Sequence, residues 1–223
     1  MREAWKENIL HCLFPRTCEN CLADLPRWAQ GPLCRICLGR LASVALSPPI
    51  RSISPPGAVL ERVVATFPYI DPLPRLVHAF KYENRLPVGE ALGDWQAGFF
   101  PRFPELAGAD ALVPVPLHPK RERERGFNQA EILARRVARI AGMPVLNALV
   151  RRANTNPQWS LSPKERKLNL KQAFAAAPFA PISGKSLILI DDVCTTGETL
   201  RQCAKVLKAA GARRVYAYVL AKD

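Results

Sequence analysis

Residues 187–200, LILIDDVCTTGETL, constrain the fold more than any other stretch of the chain. Leu187 to Ile190 is the short all-apolar run required of a parallel strand covered on both faces. Asp191 and Asp192 place two adjacent carboxylates at its carboxyl end. A turn bearing Thr195, Thr196, Gly197 and Thr199 then runs into a helix with Leu200, Cys203, Leu207 and Ala210 at helical spacing, stopped by Gly211. Val215 to Leu220 supplies another strand. Strand, turn, helix and strand form a βαβ unit, for which a right-handed crossover is expected. The class is therefore α/β, with a ligand expected at the carboxyl ends of the strands.

The turn has a chemistry of its own. At a helix N-terminus the free backbone N–H groups point outward and the dipole favours an anion. Gly197 permits close approach and the threonine hydroxyls add donors, which suits a monophosphate. The carboxylates beside it suit vicinal hydroxyls or a hydrated Mg2+. A sugar 5-phosphate satisfies both halves. GxxxxGK(S/T) and GxGxxG are both absent, which excludes a P-loop and the dinucleotide fingerprint.

At the other end of the chain, Cys18, Cys21, Cys34 and Cys37 form C-x2-C, twelve residues, C-x2-C. Such knuckles bring four thiolates to one tetrahedral ion, so a structural Zn2+ with no open coordination position is expected. Disulfides are the rival reading, but the start of the chain lacks a secretory signal and no run is long enough to span a membrane. A cytoplasmic protein without membrane insertion is expected, and there thiols stay reduced. His11 and Cys12 are alternative ligands, for which ordinary packing is the simpler reading.

Between these features, two proline pairs mark residues 43–58 as an extended linker joining a head, 1–42, to a body, 59–223. In the body, Val59 to Ile70 reads as a strand, and Asp71-Pro72 opens a helix with Leu73, Leu76, Val77 and Phe80 on one face. Residues 109–116 read as a buried strand entering a turn. Asn128 caps a helix with Glu131 three residues on, an apolar stripe of Leu133, Val137 and Ile140, and an end at Gly142.

The formal charge is +13. Nine of those charges lie in His118–Arg139 (net +4) and Arg151–Lys171 (net +5), which implies either attraction to polyanions or a solvated basic face.

Leu187 to Thr199 resembles the phosphoribosyl pyrophosphate (PRPP) signature of type I phosphoribosyltransferases, departing from it only at Cys194, where an aliphatic residue is usual. The cysteine head, Phe80-Lys81-Tyr82, VPVPLHPKRERERGFNQAE (113–131), the segment from Gln158 to Phe174 and DDVCTTGETL are together similar to the ComF/GntX family of competence-associated phosphoribosyltransferase-like proteins. The resemblance implies a type I phosphoribosyltransferase fold, a parallel sheet flanked by helices, behind a small zinc-binding domain. It implies that Asp191 and Asp192 hold the ribose hydroxyls as the catalytic pair and that Thr195, Thr196, Gly197, Glu198 and Thr199 bind the 5-phosphate. Val115, Pro116 and Leu117 would form the pyrophosphate loop, with His118 beside it, and Mg2+ would accompany PRPP.

Candidates for a mobile loop or for nucleic-acid contacts are Lys81, Arg121, Arg125, Asn128, Trp159, Arg166 and Lys171. Trp159 stands in Gln-Trp-Ser where the family commonly has Gln-Thr-Gly, and reads as a lid, a stacking platform or filler. Displacement of pyrophosphate at the anomeric carbon is the reaction such a site would support. The role implied is the handling of single-stranded DNA in natural transformation, alongside a DNA-uptake helicase. An active phosphoribosyltransferase and a PRPP-sensing regulator of duplex DNA are the alternatives.

Overall fold

The computed structural model describes residues 16–26, 28, 29, 31–45, 50–53, 58–152 and 173–223. In chain order the elements are α1 (Arg35–Ala45), β1 (Ile50–Ile53), β2 (Arg62–Pro68), α2 (Leu73–Tyr82), α3 (Leu86–Phe99), β3 (Ala111–Pro114), α4 (Pro119–Arg125), α5 (Gln129–Ala141), β4 (Leu149–Arg151), β5 (Phe174–Ala176), β6 (Ser186–Cys194), α6 (Glu198–Ala209) and β7 (Arg214–Lys222). Five strands form one sheet in the order β1-β2-β7-β6-β3, parallel except for the antiparallel edge strand β1.

Alternation along β6 explains the layers. Ile188 and Ile190 point into a core with Val64, Tyr218, Leu220 and helices α2, α3 and α5. Leu187 and Leu189 point the other way, into a core with Val63, Ala217, Val219, α6 and the paired strands β4 and β5. A strand with both faces covered has no polar side to show, hence its unbroken apolar run. In the first layer α2 and α3 pack so closely that a Cβ on Gly89 would lie 2.1 Å from the Phe80 ring. Among the described residues, no helix is long and apolar enough to cross a membrane.

Two expectations need correction, and the head makes a contact for which there was no expectation. Ile50–Ile53, inside the stretch read as linker, pairs with β2 as an edge strand, a place that tolerates neighbouring prolines. Leu25, Leu33, Cys37 and Leu41 of the head share one core cluster with Val64, Phe67 and Leu73, so the head packs on the body. Ile140 is 60% exposed, because the stripe of α5 leaves the core before its last turn, while Leu133 and Val137 are buried.

Candidate functional site

β6 does not stop at the acids: it pairs with β7 as far as Cys194 opposite Lys222, whereas β3 leaves it at Pro114 opposite Ile190. Beyond that point the β3 side of β6 is an open edge, and the Val115–Leu117 turn departs from it with Val115 N–H donating to Ile190 O at 3.0 Å. The acidic pair thus lies within a strand, with its carboxylates on opposite faces. Asp192, 7% exposed, meets Lys81 Nζ of α2 at 2.9 Å from Oδ1. Asp191 lies on the face of the sheet covered by β4 and β5, where Arg151 of β4 attracts its charge. Burial pushes the Asp191 carboxyl up to about 7 and the charge of Asp192 adds to this, against the Asp192 N–H bond, Lys81 and Arg151.

After β6, Thr195 and Thr196 are exposed and Gly197, at φ 72°, caps α6. Among the described residues a Cβ at Gly197 would meet only Cys194 Sγ, at 3.6 Å, so the position calls for glycine because of its left-handed backbone. Among the described residues the hydroxyls of Thr195 and Thr199 have no hydrogen-bond partner, and Thr196 Oγ1 has only a 3.4 Å bond from Glu198 N. The seat expected for a phosphate is thus open to solvent at Thr195 and Thr196. Glu198 contributes its backbone alone, because its carboxylate is held by Arg201 and Gln202, and the Arg201 guanidinium keeps it below the ordinary range. Cys194 is 5% exposed, with its thiol raised by burial, and fills an aliphatic position as a neutral group.

The remaining candidates divide. Asn128 caps α5, accepting from Ala130 N at 3.1 Å, and its Nδ2 donates to Val115 O at 3.1 Å. His118 likewise caps α4, its Nδ1 accepting from Lys120 N at 3.2 Å. Lys81 thus lies in the last turn of α2, and Asn128 at the start of α5 beside the Val115 turn. Arg125 lies over the Tyr82 ring at 4.9 Å and donates to Gln129 Oε1 at 3.1 Å. Arg121 and Arg123 have no hydrogen bond or ion pair among the described residues. Trp159, Arg166 and Lys171 lie outside those residues, as do His11 and Cys12.

The basic surplus also divides. On α5, Arg135 pairs with Glu131, Arg136 with Glu90 and Asp94, and Arg139 with Asp94. That half of the first basic segment is neutralised locally, which leaves α4 as its exposed cationic part.

Arg151 is the residue that sequence reasoning missed, having counted it only as a charge. It stacks 5.3 Å over Phe174, its enclosed Nε has no partner among the described residues, and burial lowers its pKa. An arginine closing an apolar Leu-Val strand was the available signal.

In the head, the four Sγ atoms of Cys18, Cys21, Cys34 and Cys37 lie within 4.8 Å of one another, with Cys21 and Cys34 3.6 Å apart. Four sulfurs at about 2.3 Å from one tetrahedral ion would be about 3.8 Å apart, so this set can hold a metal ion. Asn20 Nδ2 donates to Cys37 Sγ at 3.5 Å, and Glu19, between Cys18 and Cys21, is bound by Arg85 at the start of α3. The second knuckle flows into α1, whose Leu41 enters the body's core.

The phosphoribosyl transferase domain family matches residues 124–223, a range holding the acidic pair, the threonine turn and Arg151. Competence protein F of Haemophilus influenzae is 34% identical over 167 residues, covering 73% of this chain and 73% of that protein. DNA utilization protein YhgH of Escherichia coli K12 is 32% identical over 166 residues, 73% of this chain and 72% of its own length. Competence protein ComFC of Bacillus subtilis is 29% identical over 212 residues, 93% of this chain and 84% of that one. The sheet order, the turn after β6, the cysteine cluster and these relatives agree: the chain belongs to the ComF family of competence-associated, phosphoribosyltransferase-like proteins and has the type I phosphoribosyltransferase fold.

Proposed function

We propose that the protein binds PRPP with Mg2+ in the crevice beside β6 and handles single-stranded DNA there, with a structural Zn2+ in its head. One observation carries this reading. The acidic pair, the Gly197 turn with its unengaged threonine hydroxyls and the Val115–Leu117 turn converge where β3 leaves β6. The backbone N–H groups from Thr196 to Thr199 and the threonine hydroxyls would receive the 5-phosphate. Asp191 and Asp192 would accept from ribose hydroxyls, and the Val115 turn would lie along the pyrophosphate. Mg2+ would offset the charge of the departing pyrophosphate.

Lys81 holds the Asp192 side chain in place through its 2.9 Å contact with Oδ1. The names of the relatives, competence and DNA utilization, and Arg121 and Arg123 of α4, which have no hydrogen bond or ion pair among the described residues, favour a nucleic acid as the second ligand. The closed tetrathiolate head leaves no position for substrate, so its role is to fix α1 and the Glu19–Arg85 contact on the body.

Calorimetry of PRPP·Mg2+ on wild type and Asp192→Asn tests the site: a clear loss of affinity is expected, and equal affinity removes the reading. Binding of a labelled oligonucleotide should weaken steeply as salt rises. A preference for duplex would move weight to a regulator. Exchange of labelled pyrophosphate into PRPP in the presence of a base would establish turnover.

A further inference from the structure

Helix α2 ends at the crevice with the sequence Phe80-Lys81-Tyr82, and each of the three side chains is fixed differently. Phe80 is buried and stacks on Phe127 at 5.3 Å and 15°, joining the helix end to the stretch between α4 and α5. Lys81 reaches inward to Asp192 at 2.9 Å. Tyr82 is left 66% exposed, although it touches His78, with ring centroids 5.0 Å apart, and carries the Arg125 guanidinium 4.9 Å over its ring. A phenol that only filled space would be covered, and a single exposed ring alone would mean nothing.

Here the ring stands one residue from the acidic pair's lysine and is backed by an arginine of another helix. That arginine lies one helical turn from Arg121, so the two share a face of α4. Arg121 is exposed and has no hydrogen bond or ion pair among the described residues, so it is free to meet an anion on that face of α4. A π-face backed by one guanidinium, with an unengaged one a helical turn away, is the order in which a nucleotide presents a base and its phosphate.

We propose that Tyr82, backed by Arg125, is a stacking platform for a nucleobase at the rim of the phosphoribosyl crevice, with Arg121 taking the adjoining phosphate. The proposal rests on the function proposed above. The base belongs either to a single strand or to a free nucleotide, and the two sources are separable. Stacking is sequence-tolerant because every base has a π-face, so the platform suits a strand without strong base preference.

The test uses the full chain and a fluorescein-labelled oligo-dT. Tyr82→Ala should weaken binding about 5- to 150-fold, and Tyr82→Phe should retain it. The slope of affinity against salt should stay unchanged in Tyr82→Ala, because a ring releases no counterions, and should fall by about 0.7 in Arg121→Gln. In Tyr82→Trp, indole fluorescence should be quenched by oligo-dT if a strand is the ligand, and by dTMP alone if a free nucleotide is. Quenching by neither, or oligonucleotide affinity equal to wild type in Tyr82→Ala, overturns the proposal. PRPP·Mg2+ calorimetry on Tyr82→Ala keeps the two readings apart: unchanged heat with lost DNA binding locates the effect at the platform. Absence of PRPP binding in wild type would instead remove the underlying site.

Discussion

All four thiols of the cysteine cluster come from the single stretch Cys18–Cys37, whereas the crevice draws Lys81, Val115, Asn128, Arg151 and the Asp191–Thr199 turn from five separate parts of the chain. The cluster is a local closure: two knuckles and a short connection suffice, and the rest of the fold only receives the result. The crevice exists only once strands β3, β6 and β7 lie side by side. The first should therefore fail as a unit when its ion goes. The second should fail by degrees, one contact at a time.

The largest effect tests the first half of that contrast. Structural zinc in a tetrathiolate site is worth about 10–16 kcal/mol, comparable with or above the ~5–15 kcal/mol stability of a whole domain. Strong chelation, or Cys34→Ser, should unfold the head. Because Leu25, Leu33 and Leu41 share a core with Val64 and Leu73, the thermal transition of the entire chain should fall too. A melting curve that ignores the chelator would show that packing alone holds the head.

Next in size is Asp192→Asn, which removes a charged acceptor from any ribose hydroxyl and leaves Lys81 facing a neutral amide. Hydrogen bonds to charged groups contribute about 1.5–3 kcal/mol, so PRPP·Mg2+ affinity should fall about 10- to 150-fold in calorimetry. Thermal stability should move much less than in the chelated protein. Equal losses in both measurements would erase the distinction between a locally closed cluster and an assembled site.

How legible each region was follows from the same contrast. The β6 run, the cysteine spacing and the Asn128 cap are set by neighbours a few residues apart, and each stands where the residue pattern puts it. Lys81–Asp192, the charge of Arg151 on the Asp191 side of the sheet, and Arg136 with Glu90 are chosen by the strand order and by helix packing, which no local pattern encodes. Net charge per segment likewise treated α4 and α5 as one basic stretch, because the carboxylates that neutralise α5 include Glu90 and Asp94 on α3. The βαβ reading expected the acids at the end of the strand. Pairing with β7 carries them inside it, so alternation sends them to opposite faces.

The acidic pair makes a pH-dependent prediction. Asp191 is raised from an ordinary 3.8 to about 7 in the folded chain, so the folded state holds this proton more tightly than the unfolded state does. Its contribution is complete below about pH 4 and is lost as pH rises through about 7. Denaturant unfolding of the ligand-free protein should show stability falling over that window, and Asp191→Asn should remove this part of the slope. A variant with the wild-type slope would place the titration elsewhere.

The smallest effects probe the joints of the crevice. Asn128→Ala removes a cap and the brace on Val115 O, and should cost about 0.5–2 kcal/mol of stability by denaturant titration. Gly197→Ala should cost about 1 kcal/mol, the penalty of placing a side chain in left-handed backbone, which for a chain of this size is a shift of about 2–4 °C in melting. Among the described residues nothing else opposes that methyl, whose neighbour would be Cys194 Sγ at an ordinary 3.6 Å. If the turn relaxes to relieve φ, its N–H groups rotate away from a common point, so PRPP·Mg2+ affinity should drop by more than the stability does. An equal change in both would mean that the left-handed residue serves only to start α6.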